Sequence, residues 1–225
     1  MFKREENALV LDFLPTGKAG EARQEPTAQL IGEQYFTLLE VVAKPGVQLK
    51  SFDKVYIGMG ERDKIERIKC RLVYNQLTNA AQQEVEKAIR QVFSEREQDF
   101  VGLINRAGPI NIRIHSLELL PNVGKKNLEA LLTERDKKPF ASFEDIKARV
   151  PHLAHVEDSI LQRVIMELKA EEKYYLFVKI PPKEEEEGER RYGDRRYDRD
   201  RRYSDRGGEK RDDRGSDHGY ERPRY

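Results

Sequence analysis

Residues 111–132 read Asn111-Ile112-Arg113-Ile114-His115-Ser116-Leu117-Glu118-Leu119-Leu120-Pro121-Asn122-Val123-Gly124-Lys125-Lys126-Asn127-Leu128-Glu129-Ala130-Leu131-Leu132. Ile114, Leu117 and Leu120 recur at a three-residue spacing, which puts them on one helical face. Pro121 to Gly124 interrupts that pattern with turn-forming residues, and Asn127 to Leu132 is again amphipathic. The spacing predicts a helix from Asn111, a tight hairpin, and a second helix. A glycine at a helix start admits close approach of another molecule, and the first-turn N–H groups, which lack intrahelical acceptors, point at an incoming anion. Lys125 and Lys126 add formal charge beside them. Asn122, Val123, Gly124, Lys125 and Lys126 are therefore candidate contacts to a nucleic-acid phosphate, read without base specificity. The N–H groups of Val123 and Gly124 would donate, and the lysines would supply the salt-dependent part. A hairpin that is purely structural, or that docks a protein, is the competing reading.

Downstream, Pro139 to Ile146 reads as a linker and a third helix, with Ser142 as N-cap and Asp145 near the positive helix end. Arg149 to His155 occupies a second hairpin in which Pro151 matches Pro121 and Ala154 stands where Gly124 stood, with no lysine pair after it. The two copies resemble a tandem helix-hairpin-helix arrangement whose usual turn is Gly-hydrophobic-Gly. Asn122 replaces the first glycine, and asparagine is among the few residues that tolerate positive φ. The second copy is degenerate and is expected to pack against the first. Ile160, Val164, Ile165 and Leu168 supply the apolar face of a closing helix. Tyr174 to Ile180 reads as a strand returning to the N-terminal sheet.

Upstream, short strands are expected at Ala8–Leu14, Gln34–Ala43 and Asp53–Gly58, separated by the polar stretch Pro15–Pro26 and the turn Lys44-Pro45-Gly46. Ile65 to Val73 alternates. Ile68, Cys70 and Leu72 face one way, Cys70 as a small core residue, while Arg67, Lys69, Arg71 and Val73 face the other. Lys64, Arg67, Lys69 and Arg71 are therefore a second candidate phosphate-binding face, with a plain solvated strand face as the alternative. Several strands in about 70 residues suggest a small barrel or curved sheet. Thr78 is the expected N-cap of a helix carrying Ala81, Val85, Ala88, Ile89, Val92 and Phe93 to about Glu97, followed by a short helix with Phe100, Val101 and Ile104.

The whole chain has 225 residues, 42 Lys+Arg against 41 Asp+Glu, 37% charged and 37% hydrophobic residues. Residues 183–225 contain no Leu, Ile, Val, Phe, Ala or Met, and 28 of these 43 are charged, 14 of each sign. Such a composition cannot offset the backbone ordering cost of ~1–2 kcal/mol per residue, so a disordered tail is expected. Its triplets Arg190-Arg191-Tyr192, Arg195-Arg196-Tyr197 and Arg201-Arg202-Tyr203 suit weak contact with single-stranded RNA, while the interleaved acids suit an inert solubilising tail. The tail cancels its own charge, so neutrality confines phosphate binding to local patches. One cysteine excludes an intramolecular disulfide and a cysteine zinc site. His152 and His155 are three apart without a third ligand, so no metal is expected. No apolar run reaches membrane-spanning length, and the start has no signal-peptide character, so a cytoplasmic protein without a membrane partner is expected. Gly58-Met59-Gly60 lacks the third glycine of a dinucleotide fingerprint, and no cofactor is implied.

The run from Phe100 to Lys126, with Asn105-Arg106-Ala107, Pro109-Ile110, Arg113, His115 and Leu117 to Pro121, resembles an archaeal family of uncharacterised proteins predicted to bind nucleotides or RNA. Val55-Tyr56-Ile57-Gly58 and Leu77-Thr78-Asn79-Ala80-Ala81 share that resemblance. It implies an α+β protein: an OB-like β-domain with a following helix over residues 1–107, and an all-α tandem helix-hairpin-helix domain over 108–172. A returning strand over 173–182 and the tail over 183–225 complete the expected division. The resulting expectation is a non-enzymatic nucleic-acid-binding protein that prefers RNA to DNA, with ribosome or rRNA-processing association as its context. An interaction adaptor docking a protein through the helical domain is the alternative. A hydrolase or nuclease would need a catalytic cluster that the sequence does not offer, and His115 reads as a packed helix residue rather than a catalyst.

Overall fold

The structure, a computed structural model, describes residues 4–18, 20, 24–153, 155–170 and 172–179. The expected disordered tail, with its Arg-Arg-Tyr triplets, and Ala154 of the second hairpin lie outside the described residues.

Five strands, β1 (Asn7–Leu14), β2 (Thr27–Gly32), β3 (Leu38–Ala43), β4 (Lys54–Tyr56) and β5 (Ile65–Arg71), form one antiparallel sheet in the order β4-β1-β2-β3-β5. Leu9 and Leu11 of β1 face one apolar cluster, while Ala8 and Val10 face another. That second cluster also takes Val55 from β4 and Ile65 from β5, so the sheet curls until its two edges share one small core. No ladder joins β4 to β5 among the described residues, and the sheet is an open half-barrel.

β2 and β3 are buried at every position because apolar layers cover both of their faces. This burial explains why β2 shows no alternating pattern in the sequence. Its buried Gln29 is satisfied by accepting from the Thr78 N–H (2.8 Å) and donating to the Gln76 carbonyl (3.4 Å). Thr78 caps α1 (Asn79–Glu95) by accepting from the Ala81 N–H at 3.1 Å, while its hydroxyl donates to Asp12 at 2.6 Å. The start of the helix is thereby tied to two strands. The six apolar positions expected on this helix are its six buried residues. α2 (Glu97–Arg106) follows at once and buries Phe100, Val101 and Ile104.

Four sequence expectations are corrected. Gln34 to Thr37 is a turn rather than the start of β3, because the buried Glu5 carboxylate accepts the N–H groups of Gln34, Tyr35 and Thr37 and draws the chain around itself. A Cβ at Gly32 would lie 2.1 Å from the Glu5 carboxyl carbon, so glycine is required there. β5 is exposed at six of its seven positions, and Cys70 is exposed rather than in the core. The register against β3 slips between Cys70 and Ile68, and this bulge at Lys69 breaks the period-two pattern.

No α-helix runs from Asn111. Instead β6 (Pro109–Asn111) and β7 (Ile114–His115) make a small hairpin whose turn is closed by the Asn111 side chain, which accepts from Arg113 N (2.8 Å) and Ile114 N (3.0 Å). A 3₁₀ turn over Ser116–Leu119 follows, with His115 as its cap. Residues 173–179 form no strand. They are held as a strap by the Glu167 carboxylate, which accepts from the N–H groups of Leu176, Phe177 and Val178 at 2.8–2.9 Å.

The remaining helices are α3 (Lys125–Lys137), α4 (Phe143–Arg149) and α5 (Val156–Leu168). Ser142 caps α4 as expected, accepting from Asp145 N at 3.0 Å. Of the closing-helix residues, Ile160, Val164 and Leu168 are buried and Ile165 is partly buried. Residues 1–180 form one compact unit, and a single apolar cluster runs from Leu9 in β1 to Leu168 in α5.

Candidate functional site

The turn between the 3₁₀ segment and α3 is anchored from beneath. Leu117, Leu120 and Val123 are buried in the main core, so the backbone between them is held at the surface. Asn122 takes φ +67°, the left-handed conformation that asparagine tolerates, and its carbonyl accepts from the Asn127 side chain at 2.8 Å. Val123 N–H is already used, donating to the Leu120 carbonyl at 3.1 Å. It therefore does not face solvent as a donor, contrary to expectation.

Gly124 is the N-cap of α3 with an ordinary φ of −78° and no side-chain cap. A Cβ at this position would meet nothing within 4 Å. Neither backbone strain nor crowding within the chain demands glycine here. Leu128 N–H is the first in α3 to find a partner, the Gly124 carbonyl at 2.9 Å. The N–H groups of Gly124, Lys125, Lys126 and Asn127 have no acceptor among the described residues. Lys125 and Lys126 are exposed, and neither forms an ion pair among the described residues.

Lys126 also borders a shallow groove with Glu129, Glu134, Arg149 and His152, so the two turns lie along one surface. Arg149 is committed there. It pairs with Glu134 (3.3 Å) and Asp145 (3.2 Å) and lies over the Phe140 ring at 4.5 Å. Asp145 is held below the usual carboxylate range chiefly by the Ala141 N–H, and Arg149 adds to this.

The four cations in and beside β5, Lys64, Arg67, Lys69 and Arg71, do not act as one face. Lys64 lies 4.0 Å from Asp53, Arg67 pairs with Glu25, and Lys69 pairs with the buried Glu40 at 3.1 Å. Burial pushes the Glu40 carboxyl up, but Lys18 and Lys69 outweigh it and hold it below the usual range. Arg71 differs. The bulge at Lys69 places it opposite Leu39, two residues from Val41, the partner of Ile68, so Arg71 and Ile68 share a face. Both line a cleft with Arg4, Met59 and Arg62 that the sequence reading did not assemble.

Ile112 is fully exposed at the tip of the β6–β7 hairpin beside Arg113. Its exposure follows from the hairpin and not from its residue type, so the helical spacing in the sequence hides it. The hairpin's base is tied to α3 by Arg135, which donates to the Ala107 carbonyl at 2.7 Å. Arg135 lies ten residues beyond Lys125, about 15 Å along the helix. Among the described residues no group of three or more His, Cys, Asp or Glu side chains is placed to hold a metal ion, and no helix is long and apolar enough to cross a membrane.

These features define an α+β protein in which a curled five-stranded antiparallel sheet shares its core with five helices among the described residues, and in which a short anchored turn presents an open helix start. The family of proteins of unknown function DUF655 matches residues 4–179, and this chain belongs to it. The uncharacterized protein MJ0038 of Methanocaldococcus jannaschii is 38% identical over 179 residues, which cover 79% of this chain and 81% of that protein. The crystal structure of Af1531 from Archaeoglobus fulgidus, from the same family, superposes with a TM-score of 0.72 at 45% identity, over 78% of this chain and all of the other.

Proposed function

We propose that this protein binds nucleic acid through the backbone phosphates, with the start of α3 as the principal contact and RNA preferred to DNA. The observation that carries this reading is the combination at Gly124. An unobstructed glycine, a set of N–H groups and two lysines, none of them with a partner among the described residues, converge at one exposed helix start. A phosphate oxygen answers all three, accepting hydrogen bonds and offsetting both the lysine charge and the positive helix end. A side chain in place of Gly124 would stand between the ligand and those donors. The Arg-Arg-Tyr triplets in residues 190–203 add stacking and phosphate contacts in this reading. No chemical step is assigned. The proposed function is that of a non-enzymatic binder.

The test is a salt titration of binding to matched single-stranded RNA and DNA oligonucleotides. A Lys125→Ala/Lys126→Ala variant should bind more weakly at low salt, with a slope of log K against log salt shallower by about 1–2. Gly124→Val should weaken binding without altering that slope as much. Unchanged isotherms for both variants would refute the reading.

The second reading, a protein-docking adaptor, is favoured by Ile112. Ile112 is fully exposed on a turn held by the Asn111 side chain, and Ile110 on the same hairpin is 38% exposed, so the hairpin offers a small apolar surface to a partner. A stoichiometric partner that resists nuclease and high salt, and is lost on Ile112→Ser, would support it.

A further inference from the structure

The open end of the half-barrel carries a second cluster of cationic side chains, apart from the α3 turn. Between β5 and the segment that follows β4 lies a cleft with a cavity of about 200 Å³. Its floor is apolar, made by the buried Leu39 and Ile57 together with Ile68. Its rim carries three guanidinium groups, Arg4, Arg62 and Arg71. Elsewhere on the sheet Lys54, Lys64, Arg67 and Lys69 each face a carboxylate. Among the described residues these three arginines have none. Arg62 is oriented by its Nε, which donates to the Gly58 carbonyl at 3.0 Å, and its terminal nitrogens remain uncommitted. The one acid in the lining, Glu5, already spends its oxygens on three backbone N–H groups.

The Gly58-Met59-Gly60 loop completes the site. A Cβ at Gly58 would lie 2.4 Å from the Tyr56 hydroxyl, and Gly60 N–H donates to that hydroxyl at 3.1 Å. The loop is therefore folded onto the tyrosine, and this presents Met59, 82% exposed, at the rim of the cleft. A flexible thioether and an exposed isoleucine beside unpaired guanidiniums match a ligand with a flat apolar face and a compact multiple-oxygen anion. The cavity is smaller than the ~300–1,000 Å³ of sites for drug-sized molecules. It suits a single base or sugar-phosphate unit, with the remainder outside.

We propose that this cleft binds one nucleoside phosphate, its phosphate on the arginine rim and its base against Met59 and Ile68. The same chemistry is offered by a free mononucleotide and by one nucleotide of a single strand. The residues are distinct from those of the α3 turn, so the proposal stands or falls separately from that reading.

The test uses the full chain and calorimetric or NMR titration with 5′-AMP, 5′-UMP, inorganic phosphate and a five-nucleotide single-stranded RNA. Arg4→Ala/Arg71→Ala, a pair with no ion pair among the described residues, should retain the wild-type melting temperature and weaken nucleotide binding about tenfold or more. Met59→Ala should weaken nucleotide binding but not the binding of inorganic phosphate. All titrations are repeated in the Lys125→Ala/Lys126→Ala background, which removes the α3 contribution, and the effects of the cleft variants should persist there. In that background, tighter binding of the oligonucleotide than of either mononucleotide identifies a strand as the source, and the reverse identifies a free nucleotide. The proposal is overturned if neither the mononucleotides nor the oligonucleotide bind, if binding ignores the arginine pair, or if an oligoglutamate peptide binds as tightly as the nucleotides.

Discussion

At the scale of single residues, one side chain ties the small hairpin to the 3₁₀ turn that follows it. His115 Nδ1 accepts from the Leu117 N–H at 3.2 Å, and the His115 N–H donates to Glu118 at 2.7 Å. Burial, and then the charge of Arg135, lowers the imidazole pKa below its ordinary value. The folded protein thus holds this ring neutral, and a proton on Nδ1 would remove the acceptor of the Leu117 bond. As pH falls through the unfolded value of about 6.5, the unfolded chain takes up the proton first, so stability declines until the folded group also titrates. His115→Asn retains a side-chain acceptor without titrating. It should lose less stability than the wild type between pH 7.5 and 5.5 in urea melts, and identical losses would sink the assignment. The sequence placed His115 in a packed position but on the wrong element. The signal for the hairpin was Asn111, whose side-chain carbonyl can close a turn by itself, and the spaced isoleucines 110, 112 and 114 fit a strand as well as a helix.

At the scale of elements, the C-terminal strap is the least expected feature. α5 carries Arg163 and Glu167 four residues apart, both almost wholly buried and paired at 2.9 Å. Glu167 receives three backbone N–H groups of the strap. Arg163 donates to the Tyr174 carbonyl and to the Leu119 carbonyl (3.3 Å), and pairs with Glu172 at 2.8 Å. The strap delivers Phe177 to the Phe100 ring, 6.2 Å between centroids, within a cluster that includes Phe36 and Phe93. Lys179 ends over the Tyr35 ring at 3.7 Å. Sheet-like composition from Tyr174 to Val178 is used here for side-chain burial, while a carboxylate replaces the neighbouring strand as acceptor. Glu167→Ala should cost about 3–5 kcal/mol, because it removes one partner of the buried Arg163 guanidinium, which keeps Glu172 and two carbonyls, and leaves three N–H groups of the strap without their acceptor. Arg163→Met/Glu167→Leu should recover part of that loss in denaturant melts. A Glu167→Ala effect below about 1 kcal/mol would contradict the strap's role.

At the scale of the whole molecule, sheet and helices share a core. α1 stands between β1 and α5, and Leu9, Ile89 and Ile160 belong to one apolar cluster. The chain should therefore unfold in a single transition, with tyrosine fluorescence and far-ultraviolet circular dichroism giving the same midpoint. Two separated midpoints would show that the portions before and after residue 107 fold independently. A fragment ending at residue 107 would expose the α1 and α2 faces that the later helices cover, and should not give a cooperative melt.

The sequence by itself determined the local features. Thr78 and Ser142 as caps, the six core positions of α1, the left-handed Asn122 and the glycine at the start of α3 all follow from side-chain chemistry acting within a few residues. The tertiary structure decided whatever depended on distant partners. It showed that β2 is a strand, since a strand buried on both faces has no polar alternation to read. It also showed that three of the four cations in and beside β5 are neutralised, and that a one-residue bulge turns Arg71 away from them. Carboxylates from Glu25, Glu40 and Asp53 reach β5 only once the chain has folded. So do Arg4 and Arg62, which meet Arg71 at the open end of the half-barrel because the sheet curls around a core that both of its edges share.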